Sequence, residues 1–391
     1  MSIKGSTIQS IGNSHAIDGG SGLSAEFSRF KPEYRLNAIC PYYTMFPLEF
    51  PWKVLKDARE GDWVFDPFCG RGTSLFAARL RGLGAVGFDL NPIAVASAAA
   101  KLKSTTAAAV NSLCAEILGS DHKPSDPPSG KFWDLAFHPS TLKQICTLRE
   151  NLMSAGKDAP TTVLRALLLG VLHGPTLKGP PSFLSNQMPR TYSSKPGSAV
   201  RYWNSHALVA PKVDVLDVVQ RRASYTLGDI PATTSGYVRR GDAVTEIGKI
   251  NRRFKWVITS PPYYGMRTYA PDQWLRNWFL GGTPSVNYEV PGELQHTGED
   301  QFVEGLAKVW RATSTKCEDG AHLVIRFGSI PSIRKCPSDL LIRSLNDADC
   351  GWRLKTMVPT GVPTASSRQA SQFSTPGSYI EEMDFYATLN Q

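Results

Sequence analysis

The run Trp63-Val-Phe-Asp-Pro-Phe-Cys-Gly-Arg-Gly-Thr-Ser74, with Gly84-Ala-Val-Gly-Phe-Asp-Leu-Asn91 close behind it, restricts the fold more than any other stretch. A short apolar strand ends on Asp66, a glycine turn follows, helical composition resumes from Ser74 to Leu80, and a second strand ends on Asp89. Two such strands joined through one helix lie parallel, because the crossover returns the chain to the same end of the sheet. The unit therefore reads as α/β with a mostly parallel sheet. Gly70 and Gly72 permit a tight turn and close backbone approach to a ligand. Asp89 stands where an acid accepts hydrogen bonds from ribose hydroxyls. The dinucleotide fingerprint G-x-G-x-x-G is absent, since six positions from Gly70 read Gly-Arg-Gly-Thr-Ser-Leu. Asp66 in the turn would also face a pyrophosphate with the wrong charge, whereas an acid suits a cofactor carrying a cationic amine. A nicotinamide-dependent dehydrogenase is poorly supported for these reasons.

The second feature is Thr259-Ser-Pro-Pro-Tyr-Tyr-Gly-Met-Arg267, which follows the strand-like Lys255-Trp-Val-Ile258. That order puts Ser260, Pro261, Pro262 and Tyr263 at a strand's carboxyl end, where open α/β sheets place their chemistry. Two successive prolines remove two backbone donors and fix φ, leaving carbonyl oxygens in a rigid bend. Ser260 Oγ and the prolyl carbonyls would form a small acceptor cage capped by the flat face of Tyr263. A planar base with an exocyclic amine suits that cage. A plain Pro-Pro turn between strand and loop accounts for the same residues.

The 391 residues carry a net charge of +9, which favours a polyanionic partner. They divide into a flexible leader (1–30), a cofactor half (31–118), a helical and loop insert (119–236) and a catalytic half (237–391). The insert contains the basic, amide-rich run Ser185-Asn-Gln-Met-Pro-Arg-Thr-Tyr-Ser-Ser-Lys195, followed by Arg201-Tyr-Trp203. Asn186 and Gln187 match base edges, and Arg190, Lys195 and Arg201 match phosphates or bases. A solvated loop beside a helical insert explains the same composition. The sheet resumes at either 223–228 or 237–243. Trp274, Trp278 and Phe279 read as core, 299–313 and 337–345 as helices, His322–Gly328 as a buried strand, and 351–358 with 379–389 as a closing antiparallel pair. Between that pair, the loop 360–377 offers one cation, Arg368. No run of eighteen apolar residues and no signal-peptide pattern occurs, so a cytoplasmic protein without a membrane partner is expected. Seven scattered cysteines form no C-x-x-C pair, which argues against both a zinc site and a disulfide framework.

Asp66-Pro-Phe-Cys-Gly-Arg-Gly-Thr73 resembles the cofactor motif of S-adenosyl-L-methionine-dependent amino-methyltransferases. Thr259-Ser-Pro-Pro-Tyr263 resembles the catalytic motif of those members that methylate exocyclic amines in DNA. The resemblance covers roughly residues 37–98 and 237–330, with a weaker match at the closing pair. It implies a Rossmann-like class I methyltransferase fold with an antiparallel C-terminal strand, S-adenosyl-L-methionine as cofactor and double-stranded DNA as partner. It assigns cofactor contacts to Thr44 and Phe46 in an aromatic segment upstream of the glycine turn, and to Asp66, Phe68, Gly70, Gly72 and Thr73 within it. Asp89 with Leu90, and Asp242 with Ala243, complete that set. It further implies that the target base is flipped out of the duplex, stacked on Tyr263, and held by Ser260 and the Pro261 carbonyl. Arg267 and Arg368 join the DNA contacts, and a restriction endonuclease is a possible companion. Ser at the first tetrad position favours N4 of cytosine over N6 of adenine, where Asp is more usual. Cytosine C5 chemistry is rejected, because a thiolate in Pro-Cys context is missing and Cys40-Pro41 has the reverse order. An RNA guanine-N2 enzyme and a non-catalytic DNA-binding subunit are the other readings. The insert, with 360–377, is expected to recognise the target, although in the family such a segment more often follows the Asp242 motif.

Overall fold

The structure, a computed structural model, describes residues 31–42, 46–174, 179–186, 195–228, 230, 235–265, 273–286, 298–329, 336–360 and 382–390. Thr44, Gln187, Arg190, Arg267, Arg368 and the leader 1–30 lie outside the described residues.

The strands are β1 (Trp63–Asp66), β2 (Gly84–Asp89), β3 (Gly236–Arg240), β4 (Phe254–Thr259), β5 (Cys317–Gly328), β6 (Trp352–Pro359) and β7 (Glu382–Leu389). They form one sheet in the order β3-β2-β1-β4-β5-β7-β6. The first five pair in parallel, with Phe65 opposite both Val86 and Val257, while β7 runs antiparallel to β5 and to β6. This is the Rossmann-like class I methyltransferase fold, with the expected antiparallel C-terminal strand. The strand order reverses between β1 and β4, so the crevice at their carboxyl ends is the switch point at which such sheets bind ligands.

Both sheet faces are covered, which is why β1, β2 and β4 are almost continuously apolar. Alternate residues point to opposite faces: Val64, Ala85, Trp256 and Ile258 join one core, and Phe65, Val86, Phe88 and Val257 the other. On the first face lie α1 (Glu49–Val54), α2 (Thr73–Leu80), α3 (Pro92–Lys101) and α4 (Ala107–Gly119). The insert adds α5 (Lys131–Ala136), α6 (Pro139–Ser154), α7 (Ala159–Val171), α8 (Pro196–Ser205) and α9 (Val215–Thr226). The short α10 (Ala243–Glu246) packs on the second face, α11 (Trp274–Phe279) on the first, and α12 (Glu299–Ser314) and α13 (Pro337–Ala348) on the second. In α12 the side chains Phe302, Val303, Leu306, Val309, Trp310 and Thr313 recur at helical spacing and are all buried, as the amphipathic pattern requires.

The insert shares the core of the first face instead of forming one of its own. α7 packs along α3, and Leu164, Leu168, Trp203 and Val219 are buried in the same cluster as the sheet residues. Gly170 in α7 lies so close to the Ile39 carbonyl that a Cβ would stand 2.1 Å from its oxygen. Arg276 of α11 clamps the junction, donating from Nε to the Leu169 carbonyl at 2.9 Å and from Nη1 to the Pro41 carbonyl at 2.8 Å. Trp133 of α5 meets Trp278 of α11 with ring centroids 4.6 Å apart, which confirms Trp274, Trp278 and Phe279 as core. Of the two candidate places for the sheet to resume, 223–226 is the end of α9, and the strand is Gly236–Arg240.

Candidate active site

The glycine turn and the tetrad meet at the switch point through one hydrogen bond. Thr259 Oγ1, the last residue of β4, donates to Asp66 Oδ1, the last residue of β1, at 2.6 Å. Ser74 Oγ from the first turn of α2 donates to the other carboxylate oxygen, and the Phe68 amide donates to Oδ1 at 3.1 Å. Asp66 is 1% exposed, and burial pushes its carboxyl up to about 7 against the opposing effect of these donors. This corrects the expectation that Asp66 faces a cationic amine. Its carboxylate is enclosed, and it joins β1, α2 and β4 into one rigid end.

The turn itself is set by two left-handed glycines, Gly70 (φ 48°) and Gly72 (φ 77°). The Gly70 amide donates to Asp89 Oδ2 at 2.8 Å, so the acid ending β2 holds the turn open-ended toward its own carboxylate. Asp89 Oδ1 accepts from the Asn91 amide at 2.8 Å. Asp89 is half-buried, and burial raises its carboxyl to about 6. A carboxylate has about four lone-pair positions, so acceptor capacity is left for a ligand. Asn91 caps α3 with its side-chain oxygen and donates to the Tyr42 hydroxyl at 3.1 Å, bringing the upstream aromatic segment to the same place.

Beside it, the Gly241 amide donates to the Asp89 carbonyl at 3.1 Å and aligns the end of β3. Asp242 is exposed and caps α10, accepting from the Val244 amide at 2.7 Å. Leu90 and Val244 are exposed by 45% and 37%, two large apolar side chains following the acids Asp89 and Asp242 at neighbouring strand ends. Sequence reading missed Val244, although an apolar residue two positions after a capping acid in an exposed first turn was a usable signal. Thr73 and Ala243 are instead buried, Thr73 accepting from Arg71 Nε at 3.3 Å, so both serve the interior and not an open contact. Phe68 is half-buried against the edge of Trp310, and Phe46 is half-buried against Phe50.

In the tetrad, Ser260 and Pro262 are half-buried, and Pro261 and Tyr263 are buried. Tyr263 was expected to offer an open stacking face. Its ring is 6% exposed, packs edge-on against Phe327 with centroids 5.4 Å apart, and its hydroxyl donates to Glu382 Oε1 at 2.7 Å. Burial, then the Glu382 carboxylate, hold the phenol well above its usual pKa. Sequence reading assigned no role to Glu382, nor to the buried pair behind it. Arg326 on β5 forks onto Asp384 on β7 with both contacts at 2.7 Å, and its guanidinium lies 4.0 Å from the Phe50 ring centroid. The period-two placement of Glu382 and Asp384 in the last strand was the available signal.

Among the expected DNA contacts, Lys195 and Arg201 are exposed on α8 and its preceding residue, with Arg201 Nη2 bonded to Ser198 Oγ at 3.1 Å. Asn186 is 1% exposed. Its side chain donates to the Leu135 carbonyl at 2.9 Å, and its backbone amide donates to the Ala136 carbonyl. It fastens the loop to α5, which corrects its assignment as a base contact.

No protein-family model matches the chain, and no curated protein matches it. Among solved structures, TrmN from Thermus thermophilus aligns over 90% of this chain at 9% identity with a TM-score of 0.35. The chain spans about half the length of that protein (51%). The rRNA methyltransferase aviRa from Streptomyces viridochromogenes aligns over 90% of this chain and 87% of its own at 14% identity, TM-score 0.31. Magnesium protoporphyrin IX methyltransferase from Synechocystis PCC 6803, solved with bound SAM, aligns over 94% and 96% at 9% identity, TM-score 0.31. Likeness this remote leaves the fold assignment resting on the strand order of the chain itself.

Proposed function

We propose that the chain is an S-adenosyl-L-methionine-dependent methyltransferase that methylates the exocyclic amine of a flipped DNA base, with N4 of cytosine the favoured target. One observation carries the reading: the glycine-turn motif and the Ser-Pro-Pro-Tyr motif end adjacent parallel strands and are tied together by Thr259 and Asp66 at 2.6 Å. The residues present fit the cofactor. Asp89 keeps acceptor capacity for ribose hydroxyls, the left-handed Gly70 brings no side chain to the turn at its own position, and exposed Leu90 and Val244 offer apolar cover for a purine. Asp242 is exposed at the next strand end, within the same row. When bound, the cofactor supplies an electrophilic methyl group on a sulfonium centre.

The residues of the chain then act by placement. Ser260 Oγ and the Pro261 carbonyl accept the N–H bonds of the target amine, which aims its lone pair at the methyl group. Proximity and preorganised dipoles carry such a reaction without a covalent enzyme intermediate. Tyr263 serves this arrangement by anchoring the bend that carries Ser260, its buried ring against Phe327 and its hydroxyl on Glu382. Flipping is required because the amine is unreachable inside the stack. Exposed Lys195 and Arg201 supply cations to the phosphates.

Nucleoside mass spectrometry on DNA from cells making the protein, beside a Ser260→Ala control, tests the reading. N4-methylcytosine that depends on Ser260 is the expected product. N6-methyladenine would retain the mechanism and change the base. Neither product, from folded protein that binds the cofactor, would refute DNA as substrate and direct the same assay to guanine in RNA. Failure to bind the cofactor by calorimetry would favour a non-catalytic DNA-binding subunit.

A further inference from the structure

We propose that Tyr42 is a cofactor-binding residue, whose hydroxyl donates to a ribose hydroxyl of S-adenosyl-L-methionine while Asp89 accepts from the same sugar. Tyr42 takes this role on the reading of the glycine turn as the cofactor site. The polarity of two hydrogen bonds beside the end of β2 assigns it. Asn91 Oδ1 accepts from the Ile93 amide at 2.9 Å. A backbone N–H can only donate, so the side-chain oxygen of Asn91 is fixed at the cap of α3. Asn91 Nδ2 then faces the Tyr42 hydroxyl at 3.1 Å, and that nitrogen also can only donate. Tyr42 Oη is therefore the acceptor in this bond, and its own proton is left for another partner. Among the described residues the phenol makes no other hydrogen bond.

The neighbours decide what receives that proton. The Asp89 carboxylate is bonded to the Asn91 amide through Oδ1 and to the Gly70 amide through Oδ2, each at 2.8 Å, with lone pairs to spare. Burial, then the charge of Asp89, raise the Tyr42 phenol well above its usual pKa, which keeps the proton on the oxygen. A donor beside an acceptor matches a hydroxyl, which gives one hydrogen bond and takes another. The carboxylate of the cofactor could take the proton of the phenol but would stand against the charge of Asp89. Its ammonium group has no lone pair to receive one. A ribose hydroxyl meets both requirements.

Tyr42 is also held in place from both ends. Arg276 donates from Nη1 to the Pro41 carbonyl at 2.8 Å, Ile39 and Cys40 are buried, and the α7 backbone at Gly170 lies against the Ile39 carbonyl. Asn91 then fixes the hydroxyl at the far end of the side chain. A donor held in this way loses little freedom when a ligand arrives, so its hydrogen bond is returned as affinity. Tyr42 stands 49 positions before Asn91, and the pairing exists only once the sheet has formed.

The test is calorimetry on the full chain with S-adenosylhomocysteine, its 2′-deoxy form and its 3′-deoxy form as probes. Tyr42→Phe keeps the ring and removes the donor. It is expected to weaken S-adenosylhomocysteine about 3–10-fold, the scale of one neutral hydrogen bond. With one of the two deoxy forms, Tyr42→Phe and wild type should bind within about 2-fold of each other, because the acceptor for the phenol proton has gone. With the other deoxy form the gap between the two proteins should remain. Any contact of the missing hydroxyl with Asp89 cancels in this comparison, since both proteins lose it alike. A phenol that only supported the fold would weaken all three probes by the same factor, and that result would overturn the proposal alone. So would a Tyr42→Phe protein that binds all three as wild type does. Wild-type protein that binds none of the three probes would overturn the reading of the cofactor site, and the role of Tyr42 with it.

Discussion

Replacing Gly72 by alanine concentrates the energetics of the glycine turn in a single atom. Gly72 caps α2 with φ 77° and ψ 40°, a left-handed conformation that costs an alanine roughly 1–2 kcal/mol. Its new Cβ would stand 2.7 Å from Ala98 Cβ and 2.8 Å from Ala98 Cα, inside a fully buried contact between α2 and α3. Overpacking of this kind costs roughly 1–3 kcal/mol more. The sum, about 2–5 kcal/mol, should appear as a lower guanidinium midpoint with an unchanged slope. The partition can be checked with Ala98→Gly, which removes one of the two clashing atoms at its own helix-propensity cost of about 0.5–1 kcal/mol. The double variant should recover part of the steric share and none of the backbone share, giving a favourable coupling of about 0.5–2 kcal/mol. Cofactor affinity should fall with stability, because the same turn presents the Gly70 amide to Asp89. A loss below about 1 kcal/mol, or strictly additive single effects, would refute this account of the turn.

Asp66 carries a proton in the folded protein up to about pH 7 but releases it near 3.8 when unfolded, so its contribution is full below pH 4 and is lost as pH rises to 7. That window corresponds to about 4 kcal/mol, and Asp66→Asn should flatten this part of the stability–pH curve; parallel curves for variant and wild type would contradict the assignment. Asp89, raised to about 6, must be ionised to accept ribose hydroxyls, so calorimetric affinity for S-adenosyl-L-methionine should weaken as pH falls through 6. Asp89→Asn should bind more weakly at pH 8 and lose that pH dependence; a variant that keeps it would move the titration elsewhere. Alanine at Lys195 and Arg201 should lower DNA affinity and reduce the slope of log affinity against log salt by up to about two, and an unchanged slope would take α8 out of the interface.

Local pattern carried a large part of this structure. The strand, glycine turn, helix, strand and terminal acid of 63–89 rest on spacing within a few residues, as do the amphipathic α12 and the closing pair β6 and β7. All were readable in the chain, and so was the position of the tetrad at a strand end. What tertiary structure decided was the partner of each polar group. Asp66 looked like a ligand until Thr259, 193 positions on, was seen to close over it. Tyr263 looked like an open platform until Glu382, 119 positions on, claimed its hydroxyl. Asn186 looked like a base reader but fastens a loop to α5. Each outcome depends on which strands and helices are neighbours, and that follows from the order of the sheet and from the burial of both its faces. Periodicity along the chain reports which side chains turn inward; only the assembled layers determine what they meet there.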